Sequence, residues 1–372
     1  MATRSEPFPM TDEALELAPP QPQEVAREAG LRYVTDDEPG IRRVRRGRGF
    51  SYHTAKDRLV TSDEERERIE ELAIPPAWTG VWICSDARGH IQATGRDAEG
   101  RKQYRYHPAW VEIRARRKFH RMGIFGRALP RIRRRVRRDL RSDGMPRQKI
   151  LAVLVRLLDL TGIRIGNRDS SRKTGSYGLT TLRRKHVAFA DGGAWLSFRG
   201  KGGKEHEVGL NDELLAGILQ ACYEIPGYEL FQYRDEEGAR HPVTAADVNA
   251  YIREVGDADF TARDFRTWTG TIQFLEALSR LPTTDDDEAR RKSLGEAFDL
   301  VAASLGNTPA ICREFYVHPI LVDTHLEGCL REFLDTVEAD EVRGLRQAER
   351  RFLALLDRAE ESAWACGSAL RR

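Results

Sequence analysis

The sequence predicts an α+β protein in which a small strand-rich N-terminal domain precedes a larger, mainly α-helical domain with a three-stranded β-meander. Three observations lead to this prediction. Short apolar or aromatic runs separated by Gly, Asp and Pro fill residues 31–107, helical periodicity begins at Pro108, and strand-like runs with glycine-rich turns interrupt the helices between 186 and 210. At 372 residues the chain is too long for one typical core. Two domains and a tail are therefore expected.

The first 29 residues are predicted to form a disordered tail, because they are rich in proline and acidic groups and hold only scattered apolar residues. They lack the basic flank and apolar stretch of a secretory signal.

The chain contains no run of 18 apolar residues, so no membrane span is predicted. Five scattered cysteines without CxxC spacing favour reduced thiols over disulfides or a zinc site. These features predict a cytoplasmic protein that contacts no membrane.

Residues 30–107 are assigned to the strand-rich domain. One helix, from about Ser62 to Leu72, is expected to interrupt the strands. It opens on Thr61-Ser62-Asp63-Glu64-Glu65, which supplies a capping hydroxyl and places acidic groups at the helix N-terminus, where the helix dipole favours them. Two prolines at 75 and 76 then end the helix.

The end of this domain, GRDAEGRKQYRYHPAW at residues 95–110, interleaves cations with glutamine and tyrosine. On a strand, Gln103 and Arg105 would face one side, and Lys102, Tyr104 and Tyr106 the other. Cations can bind phosphates while Gln and Tyr reach base edges. An exposed strand with an aromatic ladder explains the same pattern, so both interpretations stay open.

Positive charge is concentrated in residues 101–150, which hold 18 Lys or Arg against 3 Asp or Glu. This segment is therefore net +15, and because the whole chain is +3 the remainder is net −12. Such a block is expected to repel itself unless a polyanion lies across it, and DNA or RNA is the usual candidate. A solvated helix face or a basic tail is the alternative.

Residues 108–372 are assigned to the helical domain. Apolar residues within 109–141 predict helices that face a core on one side and phosphates on the other. A more apolar helix is expected from Gln148 to Leu160, with Gly162 as its C-terminal cap. The strands of the meander are expected at three places, His186–Ala190, Ala194–Arg199 and Glu205–Leu210.

The stretch LGNTPAICREFYVHP at 305–319 offers a candidate nucleophile, Tyr316, on a short helix. Thr308-Pro309 is a helix start, and His318-Pro319 supplies the stop. In isolation the favoured interpretation of this stretch is the apolar face of a short core helix, with Asn307 at a turn.

Three cations elsewhere are placed unusually. Arg164 lies between two isoleucines, where burial is expensive unless an anion pairs with it. Lys201 is expected at the mobile tip of a glycine-rich turn, from which it could reach a neighbouring active site, although an ordinary solvated lysine is the commoner case. Arg266 lies two residues before a tryptophan in TARDFRTW at 261–268, a segment expected to precede a helix.

In this order and setting, five residues resemble the catalytic pentad of type IB DNA topoisomerases, specifically their small poxvirus-like bacterial branch: Arg164, Lys201, Arg266, Asn307 and Tyr316. The resemblance covers roughly residue 40 to the C-terminus. It includes LTGIRIGN, GSYGLTTL, FRGKGGKEH, DFRTW, LGNTPAICREFYVHP and GRDAEGRKQYRYHP. Tyrosine recombinases share the catalytic domain but typically carry His three residues before the second arginine, where this chain has Arg263.

The resemblance implies relaxation of supercoiled duplex DNA by a monomeric, nucleoid-associated enzyme that closes around DNA as a clamp. Tyr316 would form a 3′-phosphotyrosyl intermediate, and Lys201 would protonate the departing 5′ oxygen. The two arginines and Asn307 would bind the nonbridging oxygens without a metal, a cofactor or ATP. A tyrosine hydroxyl ordinarily ionises near pH ~10, so attack needs an electropositive site or a proton acceptor. The implied DNA-binding residues are Arg101, Lys102, Gln103, Tyr104, Tyr106 and Arg263.

Two positions depart from the family pattern. Asn307 stands where most members have His, and an amide can donate a hydrogen bond but cannot carry charge. Ser170 stands where relatives often have a DNA-contacting Tyr, and Lys173-Thr174 where Glu-Asn is frequent, which bears on site preference more than on catalysis. A site-specific tyrosine recombinase and a non-catalytic DNA-binding protein of the same fold are the alternatives.

Overall fold

The strands expected in the N-terminal part of the chain form one antiparallel sheet in the computed structural model, which describes residues 21–369 except 48, 191, 236, 283–285 and 338–340, with side chains described up to residue 359. The order across the sheet is β2-β1-β3-β4-β5. The five strands are β1 (Ile41–Arg46), β2 (Gly49–His53), β3 (Thr79–Ile83), β4 (Ile91–Arg96) and β5 (Lys102–Tyr106).

One face of this sheet packs against a short helix, α2 (Asp63–Glu71). Ile69 of the helix is buried against apolar side chains of the sheet, among them Ile41 and Ile83. The backbone N–H of Glu65 donates to Ser62 Oγ at 3.3 Å, which caps the helix as predicted. Strand β5 alternates as predicted, with Lys102, Tyr104 and Tyr106 exposed and the residues between them less so.

The prediction of a disordered tail over residues 1–29 is wrong for its last part. Residues 22–28 form helix α1 (Pro22–Glu28), in which Val25 and Ala26 are buried. These two side chains pack with Trp110, a partner more than 80 residues away in sequence, which local composition cannot reveal. Residues 1–20 of the predicted tail lie outside the described residues.

The chain divides into two compact units, one from Pro19 to His120 and the other from Arg121 onward. The predicted boundary after residue 107 coincides with the start of a 33-residue helix, α3 (Pro108–Leu140), and the division between the units falls later, within this helix. The remaining helices are α4 (Arg147–Thr161), α5 (Arg168–Thr174), α6 (Glu213–Glu224), α7 (Ala245–Gly256), α8 (Ala262–Arg280), α9 (Asp287–Leu305), α10 (Pro309–Phe315), α11 (Pro319–Leu326), α12 (Cys329–Thr336) and α13 (Gln347–Ala369).

Strands in the second unit form the predicted meander, in the order β6-β7-β8. Its strands are β6 (Val187–Ala190), β7 (Gly193–Arg199) and β8 (Glu205–Leu210). A separate hairpin pairs β9 (Gln232–Arg234) with β10 (Arg240–Pro242). No helix among the described residues is long and apolar enough to cross a membrane.

Helix α8 is the central element of the second unit, and its residues 265–272 are all buried. The segment TARDFRTW was expected to precede a helix, but the helix already begins at Ala262. The reason is local, because Thr261 N donates to Asp264 Oδ2 at 2.7 Å and so caps the first turn. Helix α3 approaches α8 closely at Gly126, where a Cβ would lie 2.2 Å from Cη2 of Trp268.

Many cations of the basic block form ion pairs within the protein, and these pairs balance part of the charge that was expected to need a polyanion. At least eleven of its 18 cations form ion pairs with carboxylates of the described residues. Glu112 and Asp139 of the block itself supply the carboxylates of three of these pairs. Acidic residues outside the block supply the others through folding, which a charge count along the sequence cannot show.

The most buried of these pairs joins three helices. Arg133 of α3 donates to Asp159 of α4 at 2.7 Å and to Glu349 of α13 at 2.7 Å. Trp268 Nε1 donates to the same Glu349 at 3.0 Å. Burial opposes ionisation of Glu349, but hydrogen bonds from Arg133 and Arg346 outweigh it and lower the pKa of Glu349 to about 2.

Removing this carboxylate should destabilise the protein strongly. Glu349→Gln leaves Arg133 with one buried carboxylate fewer, and we expect a loss of about 3 kcal/mol in the free energy of unfolding at pH 7. Denaturation followed by tryptophan fluorescence measures it. The matched control is Glu112→Gln, which removes an exposed pair with Arg116 at 2.6 Å and should cost less than about 0.5 kcal/mol.

The difference in the free energy of unfolding between wild type and Glu349→Gln should depend on pH. Because the folded pKa of Glu349 lies below its ordinary value of 4.5, its contribution is fully present above that value and is lost as the pH falls toward 2. The gap between wild type and Glu349→Gln should therefore narrow in acid, and a gap that stays constant down to pH ~2.5 would contradict the assignment.

Candidate active site

Two helices end on glycines that position candidate site residues. Gly162 after α4 and Gly306 after α9 both have left-handed backbone conformations, with φ of 61° and 58°. Glycine favours this conformation because it has no Cβ. Arg164 follows the first glycine by two residues, and Asn307 follows the second directly. The ends of α4 and α9 therefore fix the backbone positions of Arg164 and Asn307.

Arg266 joins these two helix ends. Its Nη1 donates to the carbonyl of Gly162 at 2.5 Å, and its Nη2 donates to the carbonyl of Leu305 at 2.5 Å. Carbonyl groups at helix C-termini carry partial negative charge and lack helical partners, so a guanidinium is stabilised there. The side chain is 4% exposed. One cation thus holds together the segments that carry Arg164 and Asn307.

Tyr316 lies at the end of the short helix predicted for it. Thr308 Oγ1 accepts a hydrogen bond from the N–H of Ile311 at 3.3 Å, and the helix runs from Pro309 to Phe315. Tyr316 is the residue that caps its C-terminus and is half-buried. The predicted start and end of this helix are both confirmed.

Helix α8 fixes the backbone of the tyrosine. A Cβ at Gly270 would lie 2.8 Å from the Tyr316 carbonyl oxygen, so only glycine permits this approach. Thr271 Oγ1 donates to that carbonyl at 3.1 Å and accepts from the N–H of His318 at 3.1 Å. Arg266 is four residues before Gly270, on the same helix face. Its guanidinium carbon lies 4.9 Å from the centroid of the Tyr316 ring.

Two hydrogen-bond donors at this site are buried and unused. Arg164 Nη2 donates to Asn307 Oδ1 at 2.5 Å. Because a guanidinium has only donors, the amide oxygen must face it, which turns Nδ2 of Asn307 away. By hydrogen-bond geometry, Nδ2 of Asn307 and Nε of Arg266 have no partner among the described residues, although Asn307 lies close to the weak acceptor Cys312 and Arg266 close to Tyr316. Buried donors without partners are costly and rare in folded proteins, and an anionic oxygen would satisfy both.

The positive charges of Arg164 and Arg266 are also not neutralised by carboxylates of the described residues. Neither Arg164 nor Arg266 forms an ion pair with a carboxylate of the described residues, in contrast to Arg133. Burial, and next the charge of Arg164, lower the pKa of Arg266 to about 10, so Arg266 stays cationic at neutral pH. Two neighbouring guanidinium groups without a carboxylate form a site that an anion would stabilise.

Lys201 is the one member of the predicted set that the structure does not bring into contact with the others. It lies exposed on the turn Lys201–Gly203 between β7 and β8 and has no hydrogen-bond or ion-pair partner among the described residues. Gly202 and Gly203 in this turn have φ of 73° and 77°. The turn location matches the prediction.

His206 is a residue of the site that the sequence analysis overlooked. A Cβ at Gly200, next to Lys201, would lie 2.6 Å from Cδ2 of its ring, and a Cβ at Gly306, next to Asn307, would lie 2.6 Å from Cε1. Burial, and next the charges of Arg266 and Arg164, lower the pKa of His206. A neutral imidazole therefore packs against both the lysine turn and the Asn307 segment. Glycines beside two motif residues were the available signal.

The residues expected to bind DNA lie in both units. In the first unit, Lys102 pairs with Asp36 at 2.6 Å and Gln103 Nε2 donates to Asp97 at 2.8 Å. Tyr104 and Tyr106 are exposed, and their rings stack with centroids 5.7 Å apart. The other two have different settings: Arg101 pairs with Asp97 at 2.7 Å, and Arg263 lies exposed in the first turn of α8.

The arrangement in the second unit suits phosphoryl transfer. A tyrosine hydroxyl lies beside a buried guanidinium, a second guanidinium and an amide donor, and these are groups that can stabilise charge on phosphoryl oxygens. Among the residues that the structure describes, no three His, Cys, Asp or Glu side chains are grouped so as to hold a metal ion.

Two family models match the chain. Residues 109–321 match the catalytic core of eukaryotic DNA topoisomerase I, and residues 49–97 match the N-terminal domain of bacterial DNA topoisomerase IB. A solved structure of the XerH site-specific recombinase bound to a palindromic difH substrate aligns with a TM-score of 0.33 and 16% identity, over 54% of this chain and 50% of that chain. That likeness is too low to establish a shared fold.

Curated relatives agree with the family models. The DNA topoisomerase 1B of Acanthamoeba polyphaga mimivirus is 31% identical over 285 residues, which is 75% of this chain and 85% of the relative. The DNA topoisomerase 1B of Vaccinia virus strain Copenhagen is 22% identical over 284 residues, 73% of this chain and 84% of the relative. These matches confirm the resemblance read from the motifs, and the chain belongs to the type IB DNA topoisomerases, a family of isomerases.

Proposed function

We propose that this chain relaxes supercoiled duplex DNA by cutting and resealing one strand through a 3′-phosphotyrosyl intermediate at Tyr316. The observation that carries the proposal is the pair of unneutralised guanidinium groups and the two unused buried donors gathered at this tyrosine. A DNA phosphodiester supplies what these groups lack. It brings one negative charge and two nonbridging oxygens that accept hydrogen bonds.

In the cleavage step, Tyr316 Oη attacks the phosphorus and its proton passes to solvent. The bond between phosphorus and the 5′ oxygen breaks, and the 5′ oxygen takes a proton from Lys201. Negative charge grows on the equatorial oxygens in the transition state, where Arg164, Arg266 and Asn307 Nδ2 stabilise it. Groups that are already fixed before substrate arrives need little reorganisation during the reaction.

Asn307 acts here as an oriented donor. Arg164 holds its carbonyl oxygen at 2.5 Å, so Nδ2 can only point away from the guanidinium. The amide adds no charge, and the positive charge of the site then comes from the two arginines and Lys201. Lys201 reaches the 5′ oxygen through movement of its glycine-rich turn, in which Gly202 and Gly203 give the backbone its freedom.

Neither ATP nor a metal ion takes part in the proposed reaction. The phosphotyrosyl bond conserves the free energy of the phosphodiester, so the freed 5′ hydroxyl can attack it and restore the strand. Between the two steps the cut strand rotates about its partner and supercoils are lost. The guanidinium groups and Lys201 carry the positive charge that metal ions carry in many phosphoryl-transfer enzymes.

Duplex DNA is the proposed partner of both units, which would close around it as a clamp. The stacked, exposed rings of Tyr104 and Tyr106 offer a surface for base edges, and Arg263 offers a charge without a partner among the described residues. Lys102 would have to exchange Asp36 for a phosphate. We propose that the enzyme acts as a monomer on the nucleoid in the cytoplasm.

A plasmid relaxation assay tests the proposal. Supercoiled plasmid incubated with wild-type protein in EDTA, at low salt and without ATP, should be relaxed, because every charge the reaction needs is on the chain. Tyr316→Phe should relax nothing and form no covalent adduct, while binding DNA nearly as well as wild type. If wild type does not relax the plasmid under these conditions, or if Tyr316→Phe still forms an adduct, the proposal is wrong.

Asn307 offers a sharper test of the transition-state role. Asn307→Ala removes the donor and should lower the cleavage rate about 10²-fold or more, the usual effect of losing one such donor. Asn307→His restores a donor and can add charge, so its cleavage rate should equal or exceed that of wild type. Single-turnover cleavage of a short duplex measures both rates.

The two variants control for one another, since both lose the hydrogen bond in which Arg164 donates to Asn307 Oδ1. If Asn307→His is as inactive as Asn307→Ala, the site is built around the amide oxygen and its contact with Arg164. The role of Nδ2 as a donor would then be wrong.

A further inference from the structure

A second cationic surface lies near the site and is separate from the arginine-rich helix. It is built around Arg183, whose guanidinium carbon lies 5.0 Å from the ring centroid of Tyr177 and 4.1 Å from that of Tyr228. The Tyr228 ring is 65% exposed. A cation–π contact engages the charge of a guanidinium but uses no hydrogen-bond acceptor. Arg183 is therefore positioned by rings while its N–H groups stay free to bind an anion.

Backbone contacts make this position rigid. Arg183 N donates to Nδ1 of His186 at 3.0 Å, and the Leu230 N–H donates to the Leu182 carbonyl at 2.8 Å. The segment that carries Tyr228 is thereby held beside the segment that carries Arg183. The ring of His186 in turn lies 4.4 Å from that of Tyr177.

The same contacts connect this surface to the loop that carries Arg164. The Tyr177 N–H donates to the carbonyl of Arg199 at 2.8 Å, two residues before the lysine turn. A Cβ at Gly178 would lie 2.5 Å from Cα of Gly166, two residues after Arg164. The segment that carries Tyr177 thus contacts the backbone of the loop that carries Arg164.

The cations of this surface lack ion-pair partners in the part of the chain that the structure describes. Arg183 and Lys185 form no ion pair with a carboxylate of the described residues, and Lys185 is exposed. This contrasts with the arginines of α3, most of which are paired. Burial, and next the charges of Lys185 and Arg183, lower the pKa of His186 to about 4, as expected for a neutral ring in a positive environment.

We propose that Arg183, Lys185 and Tyr228, here called the Arg183 surface, bind phosphates of the duplex that flanks the cleaved phosphodiester. The inference rests on the proposed function, because duplex DNA is the partner already proposed for the site at Tyr316. It adds that the Arg183 surface contacts this DNA. Duplex DNA is favoured because the cations are spread over an exposed surface rather than gathered in a closed pocket, and because a planar guanidinium binds phosphate through two N–H groups.

Binding of the full-length protein to a duplex, measured by fluorescence anisotropy at several salt concentrations, tests this assignment. Each lost phosphate contact should reduce the slope of log K against log salt by about 0.9 and weaken binding about fivefold at ~0.15 M salt. We expect this of Arg183→Gln and, independently, of Lys185→Gln, an exposed residue whose loss cannot disturb the fold. Arg183→Lys keeps the charge and should keep the slope.

Arg253→Gln is the matched control. This arginine of α7 is also half-exposed but pairs with Asp259 at 3.0 Å, and its loss should leave the slope unchanged. If Arg183→Gln and Lys185→Gln bind like Arg253→Gln while wild type relaxes plasmid, the Arg183 surface is not a DNA contact and the proposed function stands. If wild type neither binds duplex nor relaxes plasmid, both proposals fail.

Discussion

The site depends on one buried cation, the guanidinium of Arg266, more than on any other interaction. It donates to the carbonyls at the ends of α4 and α9, the two helices whose capping glycines deliver Arg164 and Asn307. It also lies against the Tyr316 ring. Taking an arginine out of water is expensive, and here two helix C-termini offset that cost where a carboxylate usually would. The consequence is a structural cation whose charge is still available to a substrate.

Arginines in this chain fall into two physical kinds. Those of α3, with Arg133 as the most buried case, meet carboxylates from distant segments and hold the helices together. Those at Arg164, Arg266 and Arg183 meet carbonyls, an amide or aromatic rings, which position a guanidinium without cancelling its charge. Only the second kind can neutralise a phosphate without first breaking an ion pair. For this reason the proposed DNA contacts are taken from unpaired charge rather than from charge density along the sequence.

Sequence reasoning succeeded where structure is set by neighbouring residues. The helix ended by Gly162, the helix capped by Thr308 and the meander with its glycine turns are all confirmed, because caps and turns depend on a few adjacent residues. It failed where the cause is distant. Helix α1 packs on Trp110, and many cations of the basic block pair with carboxylates from other parts of the chain. For the site, the motifs indicated which residue types matter, but neither the linking role of Arg266 nor the packing of His206 against two glycines can be read from spacing.

The central claim is that these groups are assembled to let Tyr316 take a phosphoryl group from DNA. The most direct measurement is to trap the adduct on a duplex whose freed strand diffuses away, digest protein and DNA, and locate the modified peptide by mass spectrometry. We expect one nucleotide-bearing peptide, modified at Tyr316 through the 3′ phosphate. An adduct on another residue, attachment through a 5′ phosphate, or no adduct from an enzyme that relaxes plasmid would contradict it.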